Sequence, residues 1–135
     1  MALETTSRVE DELAIRALTA RYNFAIDEGR AEEWADTFVA DGVFESSLLG
    51  VTRGRDALVA FARNFATQMK ARHFTTDAVV DVDGDTAHQR CYLLFVDVGG
   101  TARLSTTGVY EDDLRRTPHG WRFVHRRVTP DASAL

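Results

Sequence analysis

From His73 to Val128 apolar and polar residues alternate with period two, and three turn signals interrupt the alternation: Asp83-Gly84-Asp85, Gly99-Gly100 and Thr117-Pro118-His119-Gly120. Period two is the mark of strands with one buried face, and such Gly, Asp and Pro clusters mark their reversals. The spacing predicts four strands, at about 73–82, 86–98, 101–114 and 121–128, joined as an antiparallel meander. Two of them exceed the usual ~5–6 residues, so the sheet should be strongly bent and bulged. Wrapped around helices, a sheet bent that far makes a cone with an interior.

The first half of the chain supplies the helices. Ser7-Arg8-Val9-Glu10 has the spacing of a capping box, which predicts a helix starting near Ser7. Leu13, Ala17, Ala20 and Phe24 form one apolar row and Ile15, Leu18, Tyr22, Ala25 and Ile26 its neighbour, with Gly29 as the stop. A short second helix is expected over Ala31 to Val39, with Trp34 and Phe38 one turn apart and Asp41-Gly42 turning the chain out of it. Val43 to Leu49 and Val51 to Arg53, parted by Gly50, read as a small hairpin. Asp56 then caps a third helix reaching Lys70 or Ala71, with Leu58, Phe61, Ala62, Phe65 and Met69 at helical spacing. The expected architecture is α+β: three N-terminal helices on a strongly curved, mostly antiparallel sheet, a cone-shaped α+β barrel. It forms one domain over residues 1–135 with Thr129 to Leu135 as a loose tail.

Composition removes several functions. A net charge of -5 without a basic stripe argues against nucleic acid as a partner. The single Cys91 has no disulfide partner and reads as a buried thiol. No apolar run reaches the ~18 residues of a membrane span, and Met1 to Arg8 is polar, so a cytoplasmic protein off the membrane is expected. Neither G-x-G-x-x-G, P-loop nor H-x-x-x-H spacing occurs, so no cofactor and no metal are expected. One acid stands out. Asp27 lies where the first helix turns apolar and ends, beside Phe24 and Ile26, and a carboxylate at the carbonyl end of a helix has the wrong sign for the helix dipole. Something else must compensate it.

The element order resembles that of the nuclear transport factor 2 like superfamily. Four stretches make the resemblance specific: Ile15-Arg16-Ala17-Leu18-Thr19-Ala20-Arg21-Tyr22 with Asp27; Trp34 to Phe44 with Asp41-Gly42-Val43; Arg72-His73-Phe74-Thr75-Thr76-Asp77; and Gly120-Trp121-Arg122-Phe123. Over nearly its whole length the chain looks like a SnoaL-like protein, the branch that includes polyketide cyclases, scytalone dehydratase, bile-acid dehydratase and hexachlorocyclohexane dehydrochlorinase. Fold alone does not fix activity, because this scaffold hosts enzymes, carriers and assembly domains.

The resemblance implies a site. In the lyase members an acid near the end of the first helix orients a histidine at the start of the first long strand, and Asp27 and His73 hold the matching positions. A carboxylate on the far nitrogen fixes the imidazole tautomer and raises its basicity. Tyr22 matches a tyrosine that donates to a substrate carbonyl oxygen, steadying an enolate. Five residues at about 100° each put Tyr22 and Asp27 roughly 140° apart around the helix, so the phenol must lean across to share a cavity. Trp34, Phe38, Phe65, Met69 and Tyr92 are core residues by pattern, and substrate-lining candidates by the same pattern. On the last strand Trp121, Phe123, His125 and Arg127 share one face, expected to be the cavity side, where Arg127 either meets a substrate oxygen or stays an exposed ion-pair partner. Asp77 departs from the family, where an amide is common; it either acts on His73 or lies solvated.

The expected activity is that of a cofactor-independent lyase or isomerase, dehydratase-like, acting on a hydrophobic carbonyl-containing or polycyclic small molecule. Intramolecular aldol cyclisation of a polyketide is the alternative reaction, and a non-catalytic small-molecule binding or assembly module the alternative of another class. A homodimer or homotrimer is expected, since the open face of such a sheet commonly packs on a second copy.

Overall fold

A computed structural model of the chain describes residues 2–131. Helix α1 spans Ala2–Asp27. The expected capping box at Ser7 therefore lies inside the helix and does not start it, because Ala2-Leu3-Glu4 favours helix and no breaker separates it from Ser7. Its end is as read. Gly29 takes φ +74, the Arg30 amide donates to the Ala25 carbonyl at 2.9 Å, and the chain leaves through a left-handed stop.

Helix α2 is short, Ala31–Ala35, and strand β1 follows at Phe38–Ser46. The helix expected to reach Val39 ends early because Thr37 caps it: its hydroxyl donates to the Trp34 carbonyl at 2.7 Å, while its own carbonyl accepts from the Phe123 amide at 2.9 Å. Asp41-Gly42 is accordingly no turn. It forms a bulge within β1, between the pairs Phe38↔Phe123 and Val43↔His125. Strand β2 (Gly50–Arg53) returns antiparallel to β1, as expected of the small hairpin, and the Ser46 hydroxyl accepts from the amides of Leu48 and Leu49 at its tip. Helix α3 covers Arg55–Gln68 with Gly54 as its N-cap. Asp56 sits in the first turn, where it favours the dipole without capping it.

The meander consists of β3 (Ala71–Asp83), β4 (Thr86–Asp97), β5 (Arg103–Thr117) and β6 (Gly120–Pro130). The sheet order is β2-β1-β6-β5-β4-β3, antiparallel except where β1 joins β6. Register shifts between Thr76 and Val79, Phe95 and Val96, and Asp113 and Leu114 supply the expected bending. The concave face closes on α1 and α2 through Ile15, Leu18, Tyr22 and Trp34 against Leu93, Tyr110, Leu114 and Phe123. Of the expected loose tail, Thr129 and Pro130 belong to β6, and Asp131 is tied to Thr107 by its amide (2.8 Å) and carboxylate (2.7 Å). Residues 132–135 lie outside the described residues.

The bulge opposite Leu114 has a larger effect. Asp113 pairs with His125 and Leu114 with Phe123, so Val124 is the extra residue and the alternation of β6 changes phase across it. Trp121 and Phe123 point inward, as do Arg126 and Val128, whereas His125 and Arg127 go to the outer face.

Candidate active site

Strand β3 is the free edge of the sheet, and its outward amides and carbonyls need partners. One stripe of α1 lies along this edge and supplies two of these partners and one side-chain contact. Arg16 donates to the Ala78 carbonyl at 3.2 Å, Asn23 to the Thr75 hydroxyl at 3.1 Å, and Asp27 takes the His73 amide at 2.9 Å. Asn23 and Asp27 are four residues apart, so they meet positions two apart on the strand. The compensation that Asp27 lacks at its helix terminus thus comes from the edge of the sheet.

The second oxygen of Asp27 lies 2.5 Å from His73 Nδ1. Both side chains are buried, 7% and 9% exposed. With Nδ1–H given to the carboxylate, the Nε2 lone pair is left for other work. The ring stands edge-on to Phe95 at 5.0 Å and tilted to Phe65 at 5.8 Å. Those two phenylalanines line a cavity of about 190 Å³ inside the cone, together with Tyr22, Trp34, His73 and Tyr110. On its other side the dyad borders a more open cleft of about 430 Å³ between α1 and β3, lined by Arg16, Asn23, Thr75 and Asp77. Tyr22 borders only the interior cavity, so the phenol and the imidazole share that chamber.

Tyr22 does not lean across to Asp27: the two border different cavities, as their separation around the helix implies, and His73 alone borders both; the tyrosine itself is packed on all sides. Its ring meets Trp34 at 5.5 Å, Phe123 at 5.7 Å and Tyr110 at 6.1 Å. Burial pushes its phenol up, and the Arg126 guanidinium, 4.2 Å over the ring, pulls it partly back. Burial pushes Tyr110 up further. Behind both rings Arg126 faces Asp112 at 3.0 Å, each with no exposure, and the same guanidinium lies 3.5 Å over Tyr110. The contact is a charge pair with poor hydrogen-bond alignment, since Arg126 Nε and Asp112 Oδ1 both lack a properly angled partner. Burial pushes the Asp112 carboxyl up against the pull of Arg126. Burial also opposes the Arg126 charge, but the charge of Asp112 outweighs it. A guanidinium does not deprotonate in a protein, so the carboxyl is the member that titrates. Gln89 bridges Asp112 (2.9 Å) to Thr19 (3.0 Å), which links this pair back to α1.

Of the substrate-lining candidates, Trp34 and Phe65 border the cavity. Phe38 lies behind them, packed on Trp34 and Phe123. Met69 borders a shallow surface hollow past the end of α3. Tyr92 is 49% exposed on the convex face, because Cys91 and Leu93 take the inward positions of β4. Arg127 faces Glu45 across the outer surface at 3.5 Å, carried there by the Val124 bulge. Asp77 sits at the β3 bulge with φ +59, exposed, and takes a hydrogen bond from the Thr76 hydroxyl. Sequence reasoning missed Tyr110, Asp112 and Arg126. Asp112 carried a signal, an acid in the inward register between Tyr110 and Leu114; Arg126 carried none, because a regular strand would place it outside.

Comparison with known proteins agrees with this architecture. A structure of a Mycobacterium tuberculosis protein of unknown function is 34% identical, with a TM-score of 0.90 over 94% of this chain and 75% of that one. A Novosphingobium aromaticivorans nuclear transport factor 2 like protein with a cystatin-like fold is 32% identical, with a TM-score of 0.89 over 98% and 90% of the two chains. The anthranilate 1,2-dioxygenase small subunit of Burkholderia cepacia is 27% identical, covering 90% of this chain and 87% of its own. A scytalone-dehydratase-like structure from N. aromaticivorans, 21% identical with a TM-score of 0.85 over 96% and 90% of the two chains, shares the fold. A model of the SnoaL-like domain matches residues 7–127, so the expected family resemblance holds, and the chain belongs to the SnoaL-like family.

Proposed function

We propose that the protein is a cofactor-independent lyase or isomerase of the dehydratase type, acting on a hydrophobic carbonyl compound. The observation that carries this reading is the buried Asp27–His73 pair, whose imidazole stands in the wall of an apolar chamber that it shares with Tyr22. His73 Nε2 takes the proton on the carbon next to a carbonyl, and Asp27 steadies the imidazolium that forms. The electron pair of the broken C–H bond moves into the enolate, whose oxygen accepts from the Tyr22 hydroxyl. Collapse of the enolate expels a β-hydroxyl, and the imidazolium returns the proton so that water leaves. In a cyclase the same enolate attacks a second carbonyl and no water is lost at that step, so the product separates the two reactions. Low exposure of the dyad supports chemistry over simple solvation, because electrostatic contacts strengthen where water is excluded.

A reading of another class is favoured by one comparison, the likeness to a dioxygenase small subunit: here the cone would bind or assemble without reacting. His73→Gln separates the two. Under the lyase reading turnover falls by about 10²–10⁴-fold with ligand affinity nearly kept; equal loss of both, or no turnover by the wild type on any carbonyl substrate of fitting size, favours the module. We also propose a homodimer through the convex face, where Phe74, Tyr92 and Leu104 are exposed together.

A further inference from the structure

Away from the dyad, a hollow of about 420 Å³ lies between α1, α2 and the start of β6, bordered by Arg21, Phe24, Arg30, Glu33, Asp36 and Arg122. Its charges are unequally matched. Arg30 is paired with Glu28 at 2.7 Å and Glu33 at 3.0 Å, and Asp36 is paired with Arg55. Arg21 and Arg122 form no ion pair among the described residues; Arg122 donates to the Trp121 carbonyl at 2.8 Å and is otherwise left half-buried. Burial pushes the Arg122 guanidinium down, the charge of Arg21 pushes it the same way, and the pull of Asp36 is the smallest of the three. A guanidinium keeps its proton in a protein, so the repulsion persists until an anion offsets it. We infer that the hollow is a binding site for a small organic monoanion, an aromatic carboxylate held between Arg21 and Arg122 with its ring resting on Phe24.

A carboxylate matches the fork of a guanidinium with two parallel hydrogen bonds, and two forks around one hollow hold it from both sides. Charge sets its valence. Three arginines and two acids border the hollow, an excess of one positive charge, so a monoanion is neutralised there. A dianionic phosphate ester would bring its second charge toward Glu33 and Asp36. The apolar part of the ligand has its own contact. Arg21 and Phe24 are three residues apart on α1 and share one face, and the Phe24 ring is 62% exposed, an apolar surface for a planar ring to cover. The volume suits a small molecule as well, since ligand sites run from roughly 300 to 1,000 Å³. None of Asp27, His73 and Tyr22 borders this hollow, so the site stands apart from the proposed catalytic chamber and does not rest on the lyase reading.

Benzoate, benzamide and phenyl phosphate are titrated into the intact protein at neutral pH, followed by calorimetry and by the arginine Nε–H signals of a ¹H–¹⁵N spectrum. Benzoate should bind saturably, with a Kd below about 10 mM, and move the signals of Arg21 and Arg122. Benzamide has the same shape without the charge and should bind at least about tenfold more weakly. Phenyl phosphate, mostly a dianion at that pH, should be weaker by the same margin. Arg21→Gln and Arg122→Gln should each weaken benzoate at least about tenfold. Arg21 is exposed, so its variant keeps the fold by circular dichroism and carries the test even where Arg122→Gln does not fold. Benzoate affinity unchanged by Arg21→Gln overturns the inference, and so does benzamide or phenyl phosphate binding as tightly as benzoate, or an absence of saturation in that range. Turnover should be untouched in Arg21→Gln and benzoate affinity untouched in His73→Gln, so this site and the lyase reading fail separately.

Discussion

Replacing Asp27 with Asn tests the dyad without a substrate. In the native protein two donors from one residue, the His73 backbone N–H and Nδ1–H, are received by the two carboxylate oxygens at 2.9 and 2.5 Å. Asparagine is nearly isosteric but offers one oxygen and one NH₂. The edge-strand amide of His73 has no alternative acceptor, so the amide oxygen goes to it and the NH₂ faces Nδ1. Nδ1 must then become an acceptor, and the proton moves to Nε2. A hydrogen bond to a charged group is worth about 1.5–3 kcal/mol net, which biases the native tautomer roughly 10- to 150-fold toward Nδ1–H, and the substitution reverses that bias. The measurement is the pair of His73 ring ¹⁵N shifts at mildly alkaline pH: Nδ1 should read as protonated in the wild type and as bare in Asp27→Asn. Under the proposed chemistry the variant then has its base nitrogen blocked, and turnover falls by about 10⁴-fold, the scale seen when a triad aspartate is changed to its amide. If Nδ1 keeps its proton in the variant while the fold is intact, the orienting role assigned to the carboxylate is wrong.

Three further outcomes follow from the packing. Arg126→Met strands a fully buried Asp112 and should cost about 3–5 kcal/mol, lowering the melting temperature by roughly 10–18 °C, whereas Arg126→Met with Asp112→Leu should recover most of the loss; an additive pair of losses in calorimetry would contradict this. Asp11 is held below its ordinary carboxylate value chiefly by hydrogen bonds from Arg116, two at 2.8 Å, so its share of stability is present above the ordinary value of 3.8 and lost as pH falls through the lowered one. Because Arg116 is largely solvent-facing, that share is below about 1 kcal/mol, and Asp11→Asn should remove only this acid-side slope from the pH–stability curve. Tyr92→Lys should convert the proposed dimer to monomer in light scattering without changing the circular dichroism spectrum; an unchanged mass refutes the convex-face interface.

The fold was legible where the chain obeys one period. Strand alternation and three turn clusters gave the meander, and Gly29 stood at a real helix stop, whereas the β1–β2 turn falls at 47–49 with Gly50 already in β2. It became illegible where a single extra residue shifts the phase. Nothing in Trp121-Arg122-Phe123-Val124-His125-Arg126-Arg127 announces that Val124 will bulge, since the bulge lies against the irregular stretch of β1 between Phe38 and Val43, far away in sequence. One slip exchanges the faces of everything after it, and so Arg127 was read toward the cavity while Arg126 is the arginine that enters the core. The shortfall of α2 has the same origin: Phe38 looks helical beside Trp34, but a parallel strand 85 positions on, at Phe123, claims it. The Asp27–His73 meeting, by contrast, was readable through the family resemblance and in part through the residues, because an acid at a helix carbonyl end needs a donor from elsewhere.

That last point bears on why a carboxylate stands at position 27 at all. Capping the exposed amide of an edge strand requires one acceptor, and Asn, Ser or Thr would serve. Holding an imidazole N–H at the same time requires a second acceptor in a fixed direction, and only a carboxylate offers both from so short a side chain. An Asp27 that only capped the strand amide would tolerate Asn with no change in the ring; one that holds Nδ1–H tolerates it in stability and changes the tautomer, and turnover then tells whether that orientation serves catalysis. The structural and chemical roles sit on different oxygens of one side chain, and the single-atom change from oxygen to nitrogen addresses them separately.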